Sequence, residues 1–248
     1  MKILGVIPAR WASTRFEGKV LADIDGRPMI GHVWERAKRC RLLEEVFIAC
    51  DDDRVFRAAQ GFGAQAVMTS PEHASGTERI AAAFADSDAD IIINIQGDEP
   101  LIEPAVIDAL AKAVRDNATV EVGTVIRPIT QEDDLHNPHV VKVVVDKNGL
   151  ALYFSRAAIP FARDKKGFQQ GLFFKHLGLY AYRKGFLKNY KDLPLSRLEE
   201  TEKLEQLRIL EAGYRIMTVT TQYDSISVDT PEDLEKVSGL MKKGAAHG

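Results

Sequence analysis

Ile91-Ile92-Ile93-Asn94-Ile95-Gln96-Gly97-Asp98-Glu99-Pro100 passes from an unbroken apolar segment straight into a polar turn. A strand carries apolar side chains at nearly every position, rather than at every second one, when both faces of its sheet are covered. Runs of the same kind recur on either side, at residues 3–7, 46–49, 122–126, 140–145, 177–182 and 216–219. Between many of them lie segments with helical apolar spacing, at residues 29–40, 54–62, 77–84 and 104–114. Buried strands alternating with amphipathic helices predict an α/β fold with a mostly parallel sheet covered on both faces. Such sheets bind ligands beyond the carboxyl ends of their strands, which directs attention to the turns after residues 7 and 95.

The rhythm changes between residues 136 and 190, where an aromatic, irregular stretch (153–174) separates two strands. This part reads as an inserted lobe within a single domain of residues 1–248. Two more helices follow, at residues 197–212 and 231–241. With 33 basic and 36 acidic residues the net charge is −3, which gives no global reason to expect nucleic acid or an anionic membrane as partner. No apolar run approaches the length of a membrane span. Cys40 and Cys50 form no Cys-x-x-Cys pair and read as free thiols in a reducing, cytoplasmic setting. Gly61-Phe62-Gly63-Ala64-Gln65-Ala66 fits a dinucleotide fingerprint in letters only. It follows a helix and leads into an apolar run, the reverse of the required context, so these glycines end a helix. Gly18-Lys19 lacks both the Ser or Thr and the first Gly of a P-loop.

Pro8-Ala9-Arg10-Trp11-Ala12-Ser13-Thr14-Arg15-Phe16-Glu17-Gly18-Lys19 leaves the first strand with three cations, Arg10, Arg15 and Lys19. Convergent cations suit a polyphosphate. Charge alone would equally describe a solvated loop, and it is the position at a strand's carboxyl end that favours binding. Two acids also follow apolar segments: Asp98, and Asp229 after residues 225–228, which read as a strand. Thr230 is a natural N-cap with Pro231 in the first helical position. Either acid alone is ordinary turn chemistry. If the two meet at one edge of the sheet, the pair would hold Mg2+, a hard cation usually shared with substrate phosphates.

The stretch from Ile7 to Leu21 resembles the N-terminal signature of the cytidylyltransferases that activate the sugar acid Kdo. One departure is Phe16-Glu17, which places an acid beside the cations where that family usually has Leu-Pro. Further matches are Ser75-Gly76-Thr77-Glu78-Arg79, Gln96-Gly97-Asp98-Glu99-Pro100 and Val228-Asp229-Thr230-Pro231-Glu232-Asp233. The second half adds Ala151-Leu152-Tyr153-Phe154-Ser155-Arg156, Lys175-His176-Leu177-Gly178-Leu179-Tyr180 and Leu204-Glu205-Gln206-Leu207-Arg208.

The resemblance implies a three-layer α/β/α fold of Rossmann-like type with a mixed sheet and a small dimerisation lobe, hence a homodimer. It implies transfer of CMP from CTP to Kdo for lipopolysaccharide synthesis. Arg10, Ser13, Arg15, Lys19, Ser75 and Arg79 fall on the nucleotide, and Asp98 and Asp229 on Mg2+. Gln96, Arg156, His176, Tyr180, Glu205 and Gln206 fall on the sugar acid. Arg10, Arg15, Lys19, Asp98 and Asp229 carry the chemistry. Without the resemblance, Ser75 with Glu78 is simply a capping box, and Glu199, Glu202 and Glu205 are a solvated helix face. Alternatives are a cytidylyltransferase for 8-amino-Kdo or a sialic acid, and a non-catalytic nucleotide-sugar sensor.

Overall fold

The computed structural model describes residues 1–12, 16–164, 168–224 and 226–245. Its elements in chain order are β1 (Ile3–Ala9), a 3-10 turn (Lys19–Leu21), β2 (Asp23–Ile24), β3 (Arg27–Pro28), α1 (Met29–Ala37), β4 (Glu45–Cys50), α2 (Asp53–Gly61), β5 (Gln65–Met68), α3 (Gly76–Phe84) and β6 (Ile91–Asn94). There follow α4 (Pro104–Asp116), β7 (Val122–Pro128), α5 (Glu132–His136), β8 (Lys142–Val145), β9 (Ala151–Ser155), β10 (Phe174–Arg183), α6 (Lys184–Tyr190), α7 (Arg197–Glu202), α8 (Gln206–Glu211), β11 (Ile216–Thr220) and α9 (Pro231–Ala245).

The main sheet runs β11-β7-β10-β6-β1-β4-β5. β1 is parallel to β4 and β6, β4 to β5, and β7 to β11, while β10 is antiparallel to both β6 and β7. Every strand on this path except β10 therefore presents its carboxyl end at the same edge. The chain moves outward from β1 to β4 and β5, then returns to the other side of β1 to form β6. That reversal is a topological switch point, and the turns after β1 and β6 flank it. Gly97 lets them approach: a Cβ there would stand 3.0 Å from the Pro8 carbonyl oxygen.

Side-chain alternation explains the unbroken apolar runs. Ile3 and Ile7 of β1 and Ile91 and Ile93 of β6 join one buried cluster with α1, α2 and α4. Leu4, Val6 and Ile92 join a second with α3, α6 and α8. The result is three layers, α/β/α, with each strand sending successive residues into opposite cores. Burying one such isoleucine is worth roughly 1.5–3 kcal/mol.

Residues 136–190 contribute the β8–β9 pair, which extends from β10, and also β10 itself in the middle of the sheet. Three expectations are corrected. The helix expected over residues 197–212 is two helices, broken where Lys203 turns left-handed (φ 54°, ψ 49°). The expected strand before Asp229 is absent: residues 226–228 belong to no strand, and Val228 N–H donates to the Asp98 carbonyl at 2.9 Å instead. Residues 151–155, in part read as irregular, form β9. Gly63, past the end of α2, adopts φ 84°, in keeping with glycine ending a helix.

Candidate active site

The loop after β1 is braced by an indole. Trp11 N–H donates to Asp51 Oδ1 at 2.9 Å, its Nε1–H to Glu17 Oε1 at 3.0 Å, and the Arg54 guanidinium lies 3.5 Å over its ring. Gly18 is left-handed at φ 67°, and a Cβ there would come within 2.6 Å of the Trp11 ring. Only glycine satisfies both demands. Glu17, the acid that departs from the family pattern, thus binds the indole of the loop's own brace. Ser13 and Arg15, expected at the nucleotide, lie outside the described residues. Arg10 is exposed at the mouth of the cleft.

Lys19 reaches across the switch point. Its Nζ donates to Asp98 Oδ2 at 2.7 Å, to Asp229 Oδ1 at 2.9 Å and to the Val228 carbonyl at 3.1 Å. Burial alone would lower the Lys19 pKa, but Asp98 and then Asp229 outweigh it and hold it above the ordinary lysine value. Asp229 is fixed by the cap of α9. Asp233 Oδ2 accepts the N–H groups of Asp229 and Thr230 at 3.1 and 3.0 Å, and Thr230 Oγ1 accepts from Asp233 N–H at 3.2 Å. The two acids therefore share one cation, the Lys19 ammonium. Among the described residues no three His, Cys, Asp or Glu side chains gather as a metal cluster. Two carboxylates without a closed protein cage fit Mg2+, which binds through one or two carboxylates and completes its shell with water and phosphate.

One cleft of about 260 Å³ is lined by Arg10, Lys19, Ser75, Arg79, Asp98 and Asp229, among others. Ser75 caps α3: its Oγ accepts Glu78 N–H at 3.1 Å, while Glu78 Oε2 accepts Ala74 N–H at 2.9 Å. Arg79 borders the cleft, but its charge is matched within the protein. Nη2 donates to Asp51 Oδ2 at 2.8 Å, and Nη1 donates to Thr69 Oγ1 and, at 3.3 Å, to the Ser70 carbonyl. It ties α3 to the ends of β4 and β5.

A second cleft, about 590 Å³, is lined by all six residues expected at the sugar acid: Gln96, Arg156, His176, Tyr180, Glu205 and Gln206. Gln96 Nε2 donates to the Gly178 carbonyl at 2.7 Å. His176 Nε2 lies 2.9 Å from Thr124 Oγ1, which itself faces the Leu179 carbonyl at 2.9 Å. The single Thr124 hydroxyl proton goes to that carbonyl, so Nε2–H donates and Nδ1 keeps its lone pair. Burial pushes the His176 imidazole down to about 3 and raises the Tyr180 and Tyr182 hydroxyls, so all three are neutral at pH 7. Burial also raises the Glu205 carboxyl, against the pull of Ser75 and Thr77.

The glutamates expected on a solvated helix face are all engaged. Glu199 pairs with Arg208 at 2.6 Å, Glu202 with Ser155 at 2.6 Å, and Glu205 borders the cleft. Asn94 was not anticipated. Its buried Oδ1 and the buried Nε2 of Gln206 have no protein partner among the described residues, and both residues line this cleft. An unpaired acceptor and an unpaired donor, each buried on a residue that lines this cleft, suit a ligand with many hydroxyls. The available signal was Asn94 standing alone among isoleucines.

The two clefts share Gly76, Gln96, Asp98 and Glu205. Arg10 and Lys19 thus lie to one side of Asp98, and Arg156 with several neutral hydrogen-bonding groups to the other, across the switch point of an α/β sheet. The arrangement is that of a nucleotidyltransferase. The family model for cytidylyltransferases matches residues 4–216. The 3-deoxy-manno-octulosonate cytidylyltransferase of Geobacter sulfurreducens is 51% identical over 98% of this chain and 100% of its own length, and that of Solibacter usitatus 51% identical over 100% and 97%. The chain belongs to the 3-deoxy-manno-octulosonate cytidylyltransferase family. A solved CMP:2-keto-3-deoxy-manno-octonic acid synthetase complexed with CTP superposes with a TM-score of 0.93 at 44% identity, covering 98% of this chain and 100% of that one. A cytidylyltransferase from Leptospira borgpetersenii shares the fold, with a TM-score of 0.66 at 18% identity, covering 98% of this chain and 87% of that one.

Proposed function

We propose that this chain transfers CMP from CTP to the anomeric hydroxyl of 3-deoxy-manno-octulosonate (Kdo), giving CMP-Kdo and pyrophosphate. The observation that carries this reading is the meeting of the two clefts at Asp98. The smaller holds the nucleotide, with Arg10 and Lys19 on its phosphates and Ser75 at the start of α3 beside it. The larger holds the sugar acid, with Arg156 on its carboxylate and Gln96, His176, Tyr180, Glu205 and Gln206 on its hydroxyls. Asn94 joins that set. Arg79 serves the nucleotide by holding the cleft's walls.

The sugar oxygen attacks the α-phosphorus in line, the bond from that phosphorus to the bridging oxygen breaks, and the hydroxyl proton passes to solvent. No covalent enzyme intermediate is required, so the chain's work is positioning and charge neutralisation. Mg2+ held by Asp98 and Asp229 would supply Lewis acidity to the attacking hydroxyl and to the α-phosphate. Lys19 keeps the two carboxylates side by side and, with Arg10, balances the charge of the departing pyrophosphate.

We also infer a cytoplasmic homodimer that buries the lobe. Phe161 and Leu152 there are 88% and 61% exposed, an apolar surface that suits a two-fold contact. No helix among the described residues is long and apolar enough to cross a membrane.

Pyrophosphate release tests the reaction. CTP with Kdo and Mg2+ is expected to turn over and, with chelator, to stop. Release with a sialic acid or 8-amino-Kdo but none with Kdo would overturn the substrate, and the absence of release with every one of these sugar acids would leave only a sensor.

A further inference from the structure

Arg156 follows β9 with its guanidinium already engaged on several sides. Nε donates to the Glu202 carbonyl at 2.7 Å, Nη1 to that of Pro138 at 2.9 Å and Nη2 to that of Lys203 at 3.4 Å. A guanidinium has five N–H donors, one on Nε and two on each terminal nitrogen. These bonds leave one N–H on each terminal nitrogen, enough for a bidentate contact with a carboxylate.

The orientation comes from one residue. Glu202 Oε1 accepts the Ser155 hydroxyl at 2.6 Å and Oε2 accepts the Arg156 backbone N–H at 2.9 Å. Glu202 thus holds Arg156 twice, by its backbone through the carboxylate and by its side chain through the carbonyl. The carbonyls of residues 202 and 203 are open to the guanidinium because α7 ends there, and the last carbonyls of a helix lack partners within it. The break itself is the left-handed Lys203. Among the described non-glycine residues, only Asp25 shares that backbone region. A bulky residue in such a conformation is costly, and such costs concentrate at functional sites. Beyond the break the chain carries Leu204, Glu205 and Gln206 along the wall of the larger cleft.

We propose that Glu202 is a positioning residue for sugar-acid binding: it orients Arg156, and so sets the affinity for the sugar carboxylate without touching the sugar. This rests on the reading of Arg156 as the carboxylate's partner. A solvated helix glutamate would leave substrate binding unchanged on removal. A glutamate that supports only the fold would lower thermal stability and weaken both substrates alike.

The test measures KM for Kdo and calorimetric CTP affinity in Glu202→Ala, Glu202→Gln, Arg156→Ala and the double variant Glu202→Ala/Arg156→Ala. Ser155→Ala serves as a milder change that keeps the carboxylate. Each Glu202 variant is expected to raise KM for Kdo about tenfold, and Ser155→Ala by less, with CTP affinity held within about twofold. The double variant is expected to be no worse than Arg156→Ala, because residues acting through one another do not add. Additive losses, an equal fall in CTP affinity, or an unchanged KM in the Glu202 variants beside a raised KM in Arg156→Ala would each overturn the role of Glu202 alone. An unchanged KM in Arg156→Ala would overturn the assignment of Arg156 and the proposal with it.

Discussion

The two clefts are built on opposite principles. Around the smaller, charge is settled inside the protein: Lys19 between Asp98 and Asp229, Arg79 against Asp51, Arg54 over Trp11. Its groups sit on turns at the carboxyl ends of parallel strands, where the sheet's topology alone delivers them. Around the larger, the groups come from the antiparallel β10, from the end of β9 and from a broken helix, and several carry no charge. His176 is neutral, and Asn94 and Gln206 each leave a buried polar atom unpartnered. A triphosphate is recognised by charge held in advance, whereas a polyhydroxylated sugar is recognised by hydrogen-bonding capacity left open.

The largest expected effect lies where the clefts meet. Asp98→Asn or Asp229→Asn keeps the side chain's size and removes one charged oxygen donor from the pair proposed to hold Mg2+. Turnover is expected to fall by on the order of a thousandfold or more, with the fold intact by circular dichroism. Full activity at ordinary Mg2+ would break the shared-cation reading and leave the pair as turn chemistry.

Next in size is Asp51→Asn. Arg79 and Asp51 are 3% and 7% exposed, so the variant strands a buried guanidinium. A loss of about 3–5 kcal/mol is expected from urea unfolding, with weakened CTP binding in whatever remains folded. Asp51 also holds Trp11 N–H, so the damage is expected on the phosphate loop. A variant that kept CTP affinity but lost Kdo would show that the clefts are not divided as described.

The larger cleft should respond in the reverse sense. Gln206→Leu removes an unpaired buried amide at nearly constant shape, so stability is expected to hold or rise slightly. KM for Kdo is expected to rise about tenfold, the cost of one hydrogen bond to the ligand. Loss of stability without a change in KM would mean that the amide serves the fold.

The same contrast governs what could be read in the sequence. The layered sheet was legible, because β1 and β6 are buried on both faces and carry apolar residues almost without interruption. Asp98 and Lys19 followed from strand ends and loop charge. The segment before Asp229 was misread as a strand, since Val228 N–H makes one hydrogen bond to the Asp98 carbonyl where a strand would pair along a ladder. On the sugar side the residues alone carried little. Residues 197–212 keep helical spacing across Lys203, and nothing local announces a left-handed break held from outside by Arg156. Glu202 and Thr124 gain their meaning from partners distant in the chain, and no periodicity encodes those.

The smallest effect concerns His176. Its pKa is about 3 in the folded chain, because burial disfavours the imidazolium, against an ordinary value of 6.5. Between those values the unfolded chain binds a proton that the folded chain refuses, so this contribution to stability is present above about pH 6.5 and declines as the pH falls. The decline is about 1.4 kcal/mol per pH unit once well below 6.5, hence roughly 1 kcal/mol between pH 7 and pH 5.5. Glu205 has the opposite sign: its raised pKa adds stability as the pH falls toward the carboxylate range. The contrast must therefore be a double difference, in which the urea midpoints of the native chain and of His176→Gln are compared at pH 7 and at pH 5.5. Glutamine can donate to Thr124 from its amide and does not titrate, and Glu205 is common to both proteins. The native chain is expected to lose about 1 kcal/mol more than the variant over that interval. Equal losses would mean that His176 takes up its proton in the folded chain, adding a cation beside Thr124 and narrowing the difference between the two clefts.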